Sequence, residues 1–192
     1  MSTPVLVITG PSGVGKGTLI RALLDALPDA ELSVSATTRP ARDGEVDGRD
    51  YHFLDGSQFQ DRVDRGEFVE HAEYAGNRYG TLRSELARPA RLIVLEIDLQ
   101  GARQIRASMP EALQVFIAPP DVEQLDELER RLVGRGAETP EQIERRLEVA
   151  REELAAQDEF GHVIVNDDAD TAARELIDLA ATMCGPEVRN HQ

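Results

Sequence analysis

The sequence predicts an α/β protein: a parallel sheet flanked by helices, with a mostly β segment inserted and a helical hairpin near the C-terminal end. Three observations predict it. Short β-branched apolar runs alternate with longer segments of helical period. The first run, Val5-Leu6-Val7-Ile8, leads into Gly10-Pro11-Ser12-Gly13-Val14-Gly15-Lys16-Gly17-Thr18, which opens a helical pattern from Leu19 to Leu27. Between residues 38 and 90 the alternation gives way to short β-like runs separated by Gly and Pro.

The elements follow in order. Pro4–Thr9 reads as a buried parallel strand. The helix after the Gly-rich loop ends before Pro28. Glu31–Ala36 reads as a second strand, and the polar stretch Thr37 to Asp50 as an irregular loop. Asp50–Leu54 is a short strand. Ser57 is the expected cap of a helix to Arg65, stopped by Gly66. Phe68–Glu70 and Glu73-Tyr74 read as strand, Gly76-Asn77 as a turn, and Arg78–Thr81 as the return. Thr81 is the expected cap of a short helix before Pro89. Arg91–Asp98 is the next core strand, followed by a helix over Gly101–Ala107 and a strand over Leu113–Ala118. Asp121–Val133 and a helix opened by Thr139, Pro140 and Gln142 form the hairpin around Gly134-Arg135-Gly136. His162–Val165 is the last strand, Thr171–Met183 the last helix, and 185–192 a disordered tail.

The Gly-rich loop carries the chemistry. Its glycines let successive backbone N–H groups face one hollow, and the following helix adds its N-terminal dipole. Lys16 is the only lysine beside 20 arginines; it supplies a compact charge on a long stem. Gly17 stands where a phosphate-binding loop usually has Ser or Thr to reach a metal, and the nearest hydroxyl, Thr18, comes one place later. Arg39 and Arg42, three apart beside Pro40, can clamp an anion. The run into Asp98 has the Walker B form, an acid delivered at a strand's C-terminal end.

Composition bounds the rest. At 192 residues the chain suits one domain with inserted parts. A net charge of −15 argues against an extended nucleic-acid surface, though not against one nucleotide in an arginine-lined cleft. No apolar run approaches a membrane span, no secretory signal pattern is visible, and Cys184 is the single cysteine. A cytoplasmic location is the expectation.

The loop with Gly17 resembles those of adenylate kinases and other nucleoside monophosphate kinases. Eight motifs in order resemble guanylate kinase over almost the whole chain. They are Gly10–Thr18, Ser33–Arg42, Gly44–Phe53, Gly66–Glu70, Gly76–Thr81, Leu95–Ala102, Gly134–Gly136 and Val163–Asp168. The resemblance implies a P-loop NTPase-type core (1–37, 91–129 and 158–184), an inserted GMP-binding subdomain (38–90) and a lid (130–157). It implies transfer of the ATP γ-phosphoryl group to GMP, and to dGMP as well, a step in guanine nucleotide synthesis and recycling. Gly10, Pro11, Ser12, Gly13, Val14, Gly15, Lys16, Gly17 and Thr18 would hold ATP, with Asn166 and Asp167 lining the adenosine pocket. Arg39 and Arg42, with Tyr51 and Tyr79, would hold the GMP phosphate. Ser35, Glu70 and Thr81 would read guanine, with Asp98 beside them, and Gly80 would belong to the same GMP site. Lys16, Arg39, Arg131, Arg135 and Arg146 would neutralise the transferring group. Mg²⁺ would bridge the ATP phosphates, with Thr18 and Asp98 as indirect partners. GMP and ATP are the expected partners, with no nucleic acid and no membrane, and the chain would be a monomer or homodimer. The rival readings are another kinase of the same architecture and a non-catalytic guanylate-kinase-like binding module.

Overall fold

The computed structural model describes residues 3–120, 148–149 and 151–184. The hairpin arginines Arg130, Arg131, Arg135, Arg145 and Arg146, the Gly134–Gly136 junction and the 185–192 tail lie outside them.

The core is a five-stranded parallel sheet: β1 (Val5–Thr9), β2 (Ala30–Leu32), β7 (Leu92–Glu96), β8 (Leu113–Ala118) and β9 (His162–Val165), in the order β2-β7-β1-β8-β9. β1 sits at its centre, paired with β7 on one side and β8 on the other. Side-chain alternation in β1 sends Leu6 and Ile8 to one face and Val5 and Val7 to the other. On the first face α1 (Lys16–Ala26) and α5 (Ala169–Met183) bury Leu19, Leu23 and Leu176. On the second, α4 (Leu99–Ser108) buries Ala102 and Ile105, with Phe160 beside them.

A second sheet is built from β3 (Ala36–Thr37), β4 (His52–Phe53), β5 (Phe68–Tyr74) and β6 (Asn77–Leu82), in the order β4-β3-β6-β5. It packs on α2 (Gly56–Asp64) through the stacked rings of Phe59 and Phe68, 4.5 Å apart. α3 (Arg83–Leu86) follows β6 directly. The strands of this second sheet fall between Ala36 and Leu82.

Three local expectations are corrected. The strand foreseen over Glu31–Ala36 is two strands in different sheets, because Ser33–Ser35 carries the chain from one sheet to the other. The cap of α2 is Asp55: its carboxylate accepts from the Gln58 N–H, and the Gln58 side chain accepts from the Asp55 N–H, a reciprocal capping box. Thr81 caps nothing; Leu82 occupies the N-cap of α3, and the Thr81 hydroxyl turns inward.

Candidate functional site

β1 ends in the Gly-rich loop, and the loop's geometry depends on its neighbours. Gly10 has φ 141°, and a Cβ there would stand 2.2 Å from the Ile117 carbonyl oxygen of β8. Gly15 (φ 100°) leaves the space that Asn166 fills, and the Asn166 amide donates to the Val14 carbonyl at 2.7 Å. Asn166 thus braces the loop, while Asp167 is exposed. α1 starts without a side-chain cap and without an acidic residue in its first turn, which leaves its N-terminal N–H groups and dipole for an anion. The Lys16 ammonium folds over the loop, donating to Gly10 O at 2.6 Å and Pro11 O at 3.1 Å. Burial lowers its pKa from the ordinary value, opposed by the carboxylates of Glu96, Glu153 and Asp98 in that order. Gly17 and Thr18 are exposed, and nothing stands where a side chain at position 17 would go.

The loop opens on a cleft of about 640 Å³ between the two sheets. Gly10, Ser12 and Lys16 line one part, and Ser35, Arg39, Arg42, Tyr51, Glu70, Tyr79, Gly80 and Asp98 line the rest. Residues that the sequence assigns to two substrates thus meet in a single hollow. Arg39 lies over the Tyr51 ring at 5.2 Å, and Tyr51 meets Tyr79 edge-on at 6.2 Å.

Glu70 projects from β5 with 4% of its surface exposed. Thr81, opposite it on β6, donates to Glu70 Oε1 at 2.7 Å. Thr81 does not itself line the cleft: its one hydroxyl hydrogen is spent on orienting the carboxylate. Gly101 makes room on the other side, since a Cβ there would stand 2.5 Å from Glu70 Oε2. Burial, with Asp98 nearby, pushes the Glu70 pKa up to about 7 despite the Thr81 bond. Asp98 accepts from the Gly101 N–H at 2.8 Å as the N-cap of α4. It therefore stands past the end of β7, and the acid that ends the strand is Glu96.

Among the acidic residues that face this cleft, sequence reasoning gives no role to Glu45, Asp50, Glu96 and Glu153. Glu153 is only 5% exposed, and its Oε2 finds no hydrogen-bond partner among the described residues. Burial raises its pKa to about 7. The signal that could have found it is a charge on the inward face of an otherwise amphipathic helix. Arg78 stacks on Phe59 at 4.4 Å and donates to Gln60 at 2.9 Å, a packing role on the far side of β6.

Among the described residues no group of three or more His, Cys, Asp or Glu could hold a metal ion. Of the carboxylates in the cleft, Glu96 at the end of β7 and Asp98 just beyond it are oxygen donors that suit a hard cation keeping most of its water.

Comparisons with known proteins bear on the family and the fold. The family model described as guanylate kinase matches residues 2–182. The chain belongs to the guanylate kinase family. A guanylate kinase of Nostoc sp. is 52% identical over 183 residues, covering 94% of this chain and 90% of its own. One of Frankia casuarinae is 54% identical over 176 residues, covering 90% and 94%. The crystal structure of the guanylate kinase of Anaplasma phagocytophilum superposes with a TM-score of 0.75 at 30% identity, covering 98% of this chain and 89% of that one. The family's reaction is the chain's: ATP-dependent phosphorylation of GMP, with a P-loop core and a second sheet. No helix among the described residues is long and apolar enough to cross a membrane.

Proposed function

We propose that the cleft holds GMP with its base at Glu70 and its phosphate at Arg39 and Arg42, facing an ATP whose phosphates lie on Gly10–Thr18. The observation that carries this reading is Glu70: a buried carboxylate, oriented by Thr81, in the same hollow as Lys16 and the two arginines. Guanine presents N1–H and N2–H donors, and an ionised carboxylate accepts from both. Ser35 is the hydroxyl that can give to O6. Adenine has an acceptor at N1 and would leave the carboxylate unpaired, a source of large discrimination.

The acceptor phosphate is already a nucleophile, so the reaction demands positioning and charge neutralisation. Arg39 and Arg42, with Tyr51 and Tyr79, hold that phosphate in place. Lys16 leaves the loop carbonyls for the β- and γ-phosphates. Arg131, Arg135 and Arg146 are proposed to close over the transferring group from 130–157. Mg²⁺ on the ATP would offset phosphate charge, with Glu96, Asp98 and Thr18 as partners through water. Asn166 supports the loop beneath the adenosine end.

A coupled assay across nucleoside monophosphates tests the reading. GMP is expected to exceed AMP by about 10³-fold or more in kcat/KM. Comparable activity on the two would overturn the assignment of Glu70.

A further inference from the structure

Arg39 carries five N–H groups in a rigid fork. Nη1 donates to Glu45 Oε2 at 3.0 Å and to the Pro40 carbonyl at 2.8 Å, and Nη2 donates to Glu45 Oε1 at 2.9 Å. The terminal edge of the guanidinium is therefore taken by a bidentate carboxylate. The Tyr51 side chain also bonds Arg39; the Nε–H and the second Nη2–H point along one side edge and form a second fork. Glu45 also accepts from the Arg42 backbone N–H at 2.7 Å, and its own N–H donates to the Arg42 carbonyl at 3.1 Å. One carboxylate thus fixes the guanidinium of the first arginine and the backbone of the second. Tyr51 backs the same guanidinium, and all four residues line the cleft.

We infer that Glu45 is a positioning residue for the acceptor-phosphate clamp, holding Arg39 by its terminal edge so that its side edge receives the phosphate. This rests on the reading that Arg39 and Arg42 bind the GMP phosphate. Without Glu45 the long arginine side chain has several rotamers and two edges that can each take an anion. With it, one edge and one orientation are left. The Arg39 pair holds the Glu45 carboxyl below the usual carboxylate range, so the brace persists across neutral and mildly acidic pH. Removing it loosens the clamp by an amount that a small misplacement of a binding group can turn into a large loss.

Glu45→Gln keeps the size of the side chain and replaces one acceptor by a donor facing the guanidinium. Steady-state kinetics at saturating co-substrate, with a thermal melt, test the inference. The expected result is a KM for GMP raised about tenfold, a KM for ATP within about twofold of wild type, and an unchanged melting temperature. An unchanged or lowered KM for GMP overturns it, since Glu45 would then be idle or a competitor of the phosphate. Parallel rises in both KM values with a lowered melting temperature overturn it too, in favour of a purely structural role. Arg39→Gln separates the two layers. If it leaves the KM for GMP unchanged, the phosphate clamp itself is wrong; if it raises that KM while Glu45→Gln does not, only the role of Glu45 falls.

Discussion

Glu70→Gln is expected to make the protein more stable and a poorer kinase. The folded Glu70 carboxyl has its pKa raised from 4.5 to about 7, chiefly by burial. At 1.36 kcal/mol per pKa unit, keeping that group ionised in the folded state costs about 3 kcal/mol. Between pH 4.5 and about 7 the folded chain holds a proton that the unfolded chain has released, so this group's contribution to stability falls as pH rises through that window. The neutral amide of the variant would carry no such cost, and its carbonyl oxygen can still accept from Thr81. Denaturation in urea should therefore show the variant about 3 kcal/mol more stable than wild type at pH 8, with the gain shrinking to under about 1 kcal/mol at pH 5. The raised pKa of Glu153 is common to both proteins and cancels. In kinetics, guanine would meet one acceptor and one donor where it needs two acceptors, and the KM for GMP should rise about a hundredfold. In the wild type that KM should climb towards tenfold per pH unit below about 7, because a protonated Glu70 must lose its proton to accept from N1–H. The variant should lack this component, while titration of the substrate's own phosphate affects both alike. A variant no more stable at pH 8 than at pH 5, relative to wild type, would refute the strained carboxylate. A KM for GMP that hardly moves would refute its contact with the base.

Three further substitutions probe the same frame. Lys16→Ala removes a side chain whose hydrogen bonds, among the described residues, go to the loop's own carbonyls, so circular dichroism and melting should stay near wild type while kcat/KM falls about 10³-fold; near-normal turnover would discard its role. Gly101→Ala puts a methyl 2.5 Å from Glu70 Oε2, and the KM for GMP should rise about tenfold with the KM for ATP unchanged. Gly10→Ala meets both a positive φ and the Ile117 carbonyl, and chemical denaturation should show a loss of about 2–4 kcal/mol; a loss under about 1 kcal/mol would mean that the loop can shift freely.

The inner strands of the core sheet can be read from the sequence because they are buried on both faces, and a run such as Val5–Ile8 or Leu92–Leu95 then has no polar side to blur it. The Gly-rich loop can be read because its positive-φ positions demand one residue type. The two arginines and Glu70 emerge from the family resemblance and a chemical argument about guanine. The split of 30–37 between two sheets cannot be read: Ser33 and Ser35 interrupt no periodicity strongly enough. Thr81 reads as a cap because a hydroxyl before a helix fits that role; only its cross-strand pairing with Glu70 shows the other use. Of Glu96 and Asp98, two acids two residues apart, sequence alone does not say which ends the strand and which caps the helix. Glu45 lies inside a recognisable motif yet gains no role there, because a bidentate pairing six residues apart along an irregular loop has no period to betray it.

The face of α4 towards the second sheet carries one more consequence. β5 is the outer strand of that sheet, and Gln104 both accepts from the His71 N–H and donates to the His71 carbonyl, while Gln100 donates to the Glu73 carbonyl. Two glutamines one helical turn apart thus stand in for the backbone of a missing neighbour strand. An outer strand with open donors and acceptors is a template on which other chains can add themselves. Here that template is already filled along its middle by side-chain amides, so the face that fixes Glu70 against Gly101 also shields the protein from growing into a fibre.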